Sequence, residues 1–388
     1  MIKFLTAGES HGKCLTGILE GMPSGLALSE DDIAVDLRRR QQGYGRGARM
    51  KIEQDAARIL SGVRYGLTLG SPITLQIENK DWVNWQEQMS IAPPAGGSAV
   101  EKLTRPRPGH ADLAGAIKYQ HEDIRNVIER SSARETAMRV ALGAICRQFF
   151  GQFGVHVVSH VLSIGGIEAR NLASELSVEE IRAQSDASGL RCLDRDSEIA
   201  IVAKIDEAMA RKDTLGGVFE VIVEGLPPGV GSYVHNERRL DGVLAQAMLS
   251  IHAMKAVGIG MGESSAHLFG SELHDRLLPD EEATMRRPTN NAGGIEGGMS
   301  NGERIRLRVA MKPLSTTGKP LDSVDMKTGK ASAALSERSD VCAVPAACVV
   351  GEAMALLALM NPFLEKYGGD SIKEIQAHFA GSPGLPWA

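Results

Sequence analysis

Ser132 and Glu135 form a capping box ahead of an apolar stripe, Met138, Ala141, Leu142, Ile145 and Phe149, spaced three and four residues apart. This is the clearest helix in the chain. Gly151 and Gly154 close it, and Val155 to Ile164 follows at once as a strand. Further elements repeat the mixture. Ile2 to Ala7 reads as a short strand, and Ser29 with Asp32 caps a helix that carries Ile33 and Leu37 and ends near Gln42-Gly43. Strand-like runs cover Ile59 to Val63, Ile73 to Ile77, and Val218 to Val223, the last stopped by Pro227-Pro228. Helical spacing recurs at Ile199, Val202, Ile205 and Met209 and from Leu240 to Ile251. Ile305, Leu307 and Val309 alternate with Arg304, Arg306 and Arg308, a half-exposed strand, and Pro345 to about Lys366 reads as a final helix. Long helices between hairpin-like strand pairs lack the βαβ rhythm of a doubly wound sheet. The expected class is α+β, with antiparallel sheets packed on helices. Glycines are spread along the whole chain, so the expectation is one intertwined domain over residues 1–388.

A net charge of −5 excludes a general nucleic-acid binder. The five cysteines, Cys14, Cys146, Cys192, Cys342 and Cys348, make no Cys-x-x-Cys pair, which argues against a zinc site or a disulfide framework and for a reducing compartment. The N-terminus leaves no room for a signal peptide, and Ala353 to Met360 is too short an apolar run to cross a bilayer. A soluble, cytoplasmic protein with no membrane partner is expected.

Of ten histidines, two stand in glycine loops beside arginine: Gly8-Glu9-Ser10-His11-Gly12 and Arg107-Pro108-Gly109-His110-Ala111-Asp112. Glycine lets a backbone approach a ligand, and histidine moves protons near neutral pH. Arg38, Arg39, Arg40, Arg46, Arg49 and Lys51 concentrate positive charge in a net acidic chain. A solvated basic face explains any one of them, whereas the run as a whole suits anion binding. The run lacks the Gly-Lys-Ser/Thr end of a P-loop. Arg130-Ser131-Ser132-Ala133-Arg134 straddles the start of the helix described above, where free amides attract anions. A glycine-rich loop spans Asn290 to Met299, and Lys312-Pro313-Leu314-Ser315-Thr316 offers a cation and hydroxyls suited to phosphate. Glu337-Arg338-Ser339-Asp340 leads into the helix from Pro345, so Asp340 is either a plain helix-terminal charge or a base.

Together these segments resemble the chorismate synthase family, from residue 3 to about residue 365 and in that family's order. The resemblance implies a homotetramer of β-α-β sandwich subunits. The implied reaction is a 1,4-anti elimination of phosphate from 5-enolpyruvylshikimate 3-phosphate, giving chorismate and requiring reduced FMN without net redox change. By resemblance, His11 protonates the departing phosphate, His110 serves the reduced flavin near N1 and Asp340 acts near N5, with Ser10 and Ser132 supporting the relay. Arg40, Arg46, Arg49, Arg107, Arg134 and Arg338 would line the site. Arg130, Ser131, Ser132, His252, Ala253, Gly297, Lys312, Pro313, Leu314, Ser315, Thr316 and Arg338 would contact FMN, some from a neighbouring subunit. His252 stands where the family usually has Asn or Gln. NADPH as reductant would meet Arg40 and Arg46.

Two other classes compete. A flavin oxidoreductase would transfer hydride, but no Gly-x-Gly-x-x-Gly opens a βαβ unit. A non-catalytic polyanion binder does not need paired loop histidines with Asp340.

Overall fold

Two antiparallel sheets enclose the helix predicted from the first apolar stripe. The computed structural model describes residues 1–46, 54–93, 101–280, 285–337 and 339–382, so Arg49, Lys51 and Arg338 lie outside it. The first sheet contains β1 (Lys3–Ala7), β2 (Cys14–Glu20), β3 (Ala57–Ser61) and β4 (Ile73–Glu78), in the order β1-β2-β4-β3. The second contains β5 (His156–Ile164), β6 (Ile167–Glu168), β7 (Gly217–Glu224), β8 (Met254–Ile259) and β9 (Ile305–Met311), in the order β8-β9-β7-β5-β6. The principal helices are α1 (Glu30–Gln41), α2 (Asp112–Tyr119), α3 (Arg125–Ser131), α4 (Thr136–Gly151), α5 (Val178–Ala187), α6 (Arg195–Ala210), α7 (Leu240–Leu249), α8 (Val344–Tyr367) and α9 (Ile372–Ala380).

Strand periodicity puts Leu15, Gly17 and Leu19 of β2 on the inner face, opposite Ile77, Leu75 and Ile73 of β4. α4 lies directly on that face. A Cβ on Gly17 would stand 2.6 Å from the Met138 side chain, so only glycine fits. α4 in turn crosses α8 at Gly143, where an added Cβ would come within 2.5 Å of Ala353. α8 packs against β5 and β7, which completes sheet, helices and sheet as layers.

The middle layer holds a charge. Glu352, fully buried on α8, accepts from Arg39 (2.7 and 2.9 Å), Arg147 (2.7 Å), Arg191 (3.4 Å) and Ser159 (2.6 Å). Burial disfavours its charge, but Arg39, Arg147 and Arg191 outweigh that and hold the carboxyl well below the usual range. The network ties α1, α4, α8 and β5 together.

Several expectations are corrected. Ser132 opens no capping box: it caps a single 3-10 turn, Ala133–Glu135, by accepting from Arg134 N, while Glu135 turns to Thr6 and Arg139. α8 is not the final helix, because α9 follows it. Nor is shortness what argues against a membrane span. α8 is long and apolar enough to cross, but 83% of its apolar window is buried inside the protein.

Candidate active site

The connection between β1 and β2 carries Ser10 and His11. Gly8 starts it at φ 106, a backbone that side-chain-bearing residues rarely adopt. Asn79, just past β4, pins the loop by donating to the carbonyls of Glu9 (3.1 Å) and Gly12 (2.8 Å). Glu129 on α3 sits beneath it. Both Glu129 carboxylate oxygens lie 3.0 Å from His11 Nδ1, and the His11 backbone N–H donates to Oε2 at 2.8 Å. Trp85 stacks on the imidazole with ring centroids 3.9 Å apart. Ser132 donates to Ser10 at 3.1 Å.

The second histidine repeats the pairing with a carboxylate. His110 Nδ1 is 2.5 Å from Asp112 Oδ1, at the first turn of α2. Arg107 holds Asp112 through its backbone N–H (3.0 Å) and its Nε (2.9 Å). Burial opposes charge on Asp112, but His110 and then Arg107 hold its carboxyl well below the usual range.

One run of charge-assisted contacts joins the two histidines. Glu129 accepts from Arg125 (3.2 Å), Arg125 donates to Glu337 (3.0 Å), and Glu337 meets Arg107 (3.5 Å). Arg107 also donates to Thr316 at 2.8 Å, which draws in the segment after β9. There Lys312 Nζ reaches the Gly109 carbonyl (3.1 Å) and Ser315 Oγ (2.8 Å). Among the described residues no carboxylate pairs with Lys312, and burial, then Lys255, lowers its pKa. An unneutralised, half-buried cation beside a histidine is a place for an anion. A cleft of about 810 Å³ opens on the Arg107–His110 loop, a size that suits a cofactor or substrate.

A second group lies behind the His11 loop. Arg40 donates to Thr136 Oγ1 (2.9 Å) and the Ala133 carbonyl (3.0 Å), and shares Asp55 with Arg134. Arg134 also donates to Asn79 at 3.0 Å. Burial pushes Arg40 down to about 10, with Arg46 and Arg134 adding to it against Asp55. Arg46 is 3.3 Å from Asp340.

The chorismate synthase family model matches residues 2–364. The chain belongs to the chorismate synthase family. It is 52% identical over 390 residues to a chorismate synthase of Geobacter sulfurreducens, covering 98% of each chain. A chorismate synthase 1 of Bacillus cereus is 51% identical over 378 residues, covering 97% of each. A crystal structure of chorismate synthase superposes with TM-score 0.78 at 42% identity, over 98% of this chain and 96% of the other. Members of the chorismate synthase family are lyases of aromatic amino acid biosynthesis acting on a small molecule, and this chain is such an enzyme.

For a chorismate synthase family member, the structure gathers most of the residues expected at the site and separates one. Ser10, His11, His110, Arg107, Ser132 and Lys312 to Thr316 meet as described. His252 and Ala253 follow α7, and Ala253 accepts from Lys312 N (3.0 Å). Ala253 is held at φ 67, a strain of roughly 1–3 kcal/mol. Burial lowers the pKa of His252, Glu135 opposing it and Arg139, His110 and Arg130 adding to it. Arg130 is corrected: it ends α3 rather than starting a helix, and its guanidinium donates to the carbonyls of Thr6 (2.7 Å) and Gly8 (3.2 Å). Ser131 donates to Val127 O within the same helix (2.7 Å). Asp340 does not cap α8, whose N-cap is Ala343. Gly297 stands apart. Its hairpin is tied to the start of α7, where the Leu240 N–H donates to the Gly298 carbonyl (2.8 Å), while Ala253 lies past the other end of that ten-residue helix, about 15 Å along its axis.

Glu129, Arg125, Trp85, Asp55 and Asn79 were missed by the sequence reading, and Glu337 was named beside Asp340 without a role. Only Arg125 and Glu129 carry a local signal, their i,i+4 spacing on one helix.

Proposed function

We propose that this chain eliminates phosphate from 5-enolpyruvylshikimate 3-phosphate to give chorismate, with reduced FMN required and not consumed. The observation that carries the proposal is the charged frame joining His11 and His110. Two imidazoles each hold Nδ1 on a buried carboxylate, with Arg107 also 3.5 Å from His110 Nε2. Arg40, Arg46, Arg107 and Arg134, with Arg49 and Arg338, would bind the phosphate and carboxylates. His11 would donate a proton from Nε2 to the departing phosphate, and Asp340, placed by Arg46, would move a proton at the N5 edge of the flavin. Ser10 and Ser132 would keep their mutual hydrogen bond beside His11.

The donor set fits a flavin phosphate: among the described residues Lys312 has no carboxylate partner, and Ser315 and Thr316 add hydroxyls. Arg130, Ser131, Ser132, His252, Ala253, Pro313, Leu314 and Arg338 would complete the cofactor contacts. Reduced flavin, when bound, would supply electron density as the allylic C–O bond breaks. His110, steadied by Asp112, would hold a proton at the flavin edge. NADPH as reductant would meet Arg40 and Arg46.

We place the reaction in a homotetramer in the cytoplasm. The distance of Gly297 from Ala253 in one chain supports its delivery by a neighbouring subunit. Leu5 and Ile18, paired on the outer face of the first sheet and 73% and 40% exposed, support an assembly there. One domain per subunit is supported by a single main core cluster that runs from Ile2 to Ile375. The test is phosphate release from the substrate with and without dithionite-reduced FMN. Release without reduced flavin, or stoichiometric flavin oxidation, would refute the proposal.

A further inference from the structure

The structure assigns Glu129 as the residue that positions His11: we propose that its buried carboxylate fixes the imidazole with Nδ1–H inward and Nε2 toward the substrate phosphate. The inference rests on the reading of His11 as the acid for phosphate departure.

Three contacts meet the ring, and two backbone bonds to Glu129 hold its loop. Both carboxylate oxygens lie 3.0 Å from Nδ1, and one of them also accepts the His11 backbone N–H at 2.8 Å. The Glu129 carbonyl accepts the Ser10 N–H at 2.9 Å. Trp85 lies against one face of the imidazole, and Arg125 stands 5.1 Å from the centre of the Trp85 ring. Rotation of the ring about χ2 would therefore break the Nδ1 contact and the stack together. An acceptor-only carboxylate at Nδ1 demands a hydrogen there in both protonation states. In the cationic state the second proton is thus on Nε2. Transfer of that proton to the departing phosphate oxygen leaves a neutral imidazole still donating from Nδ1, and the flanking Glu129 carboxylate stays ionised. This is the division of labour of a carboxylate–histidine pair in acyl transfer, here built between a hairpin loop and α3, 118 residues apart.

Glu129 stays charged in the buried site because His11, and then Arg125, support it. Burial disfavours its charge, but His11 and Arg125 outweigh that and keep its carboxyl below the usual range.

The test is a double-mutant cycle on the holoenzyme with reduced FMN, measuring kcat and KM. Glu129→Gln is nearly isosteric but offers an amide as well as an oxygen, so the inward tautomer is no longer enforced. The expected result is a fall of about 10²-fold in kcat with KM little changed. In the His11→Ala background the same change should add almost nothing, since Glu129 acts through that ring. Long-range proton–nitrogen spectra of the histidines should also show His11 losing its single Nδ1–H form. Full, additive losses in the double variant, or an unchanged tautomer, would overturn the assignment while leaving His11 as the acid. A His11→Ala variant with near-parental turnover would overturn both readings. If Glu129→Gln fails to fold, Trp85→Leu removes the other restraint and should give the same non-additivity with His11→Ala; additivity there would count equally against the proposal.

Discussion

Arg39 and Arg40 sit side by side on α1, yet among the described residues one guanidinium meets carboxylates from three residues and the other meets a single carboxylate that it shares. Arg39 pairs with Asp36, Asp186 and Glu352. Despite burial, Glu352, Asp36 and Asp186 raise its pKa well above the ordinary value. Arg40, equally buried, has Asp55 in common with Arg134 and is pushed down instead. Arg38, the residue before them, is exposed. Three consecutive arginines therefore do three things: one meets solvent, one closes a buried ion network, and one, among the described residues, shares its carboxylate with a second arginine. The difference teaches that charge balance, and not charge, separates structural arginines from those available to an anion. A buried cation short of partners is costly until a ligand supplies the missing charge.

The sharpest way to break this comparison is to remove the structural carboxylate. Glu352→Ala takes the one carboxylate that Arg39, Arg147 and Arg191 share from a buried network, and should cost about 3–5 kcal/mol of stability, read as a lowered denaturation midpoint. A variant as stable as the parent would show that the core network is no more committed than the site cluster. Acid should act through the same residue. Its folded carboxyl lies below the ordinary 4.5, so its contribution is complete above that pH and is lost as pH falls through and below it. Glu352→Gln should flatten that acid limb of the stability curve.

His110→Ala tests the opposite side, with an expected loss of roughly 10²–10⁴-fold in turnover and a retained fold. Asp340→Asn should lower turnover by roughly 10²-fold with a change in stability of well under ~1 kcal/mol, since Ala343 and not Asp340 caps α8. Unimpaired turnover would leave Asp340 as an ion-pair partner of Arg46 and nothing more. The smallest effect separates the neighbours directly. Arg40→Lys keeps the charge but loses the fork, and should raise KM for the anionic substrate about tenfold, with less loss of stability than Arg39→Lys. Equal stability losses in the two variants would erase the distinction.

The sequence made the architecture readable wherever period alone decides. The stripe from Met138 to Phe149, the alternation along β9 and the capping box at Ser29 all formed as expected. The pattern Ser132-x-x-Glu135 misled because local spacing does not reveal that Thr6, on another strand, draws the glutamate away. That error also put Arg130 at the wrong end of a helix. The histidine loops and the Lys312 segment were legible because glycine, proline and charge stand together there. Their partners were not. Glu129 lies 118 residues from His11, and Glu352 lies 313 from Arg39, so no window of sequence contains either pair. Arg39 and Arg40 were indistinguishable for the same reason.

The position of α8 in the chain has a consequence for synthesis. Every strand of both large sheets has been made by Met311, but the helix that fills the space between them starts at Val344. The Ile2 backbone is then fastened by Asn361, through contacts of 2.6 and 3.0 Å that span 359 residues. A nascent chain therefore leaves the ribosome with the first sheet already covered by α4 but with the inner face of the second sheet lacking its main cover. It cannot complete its middle layer until the segment through Tyr367 has emerged, a delay during which exposed apolar faces invite aggregation. Ribosomes stalled short of Val344 would release a product that needs a chaperone and has no native state of its own.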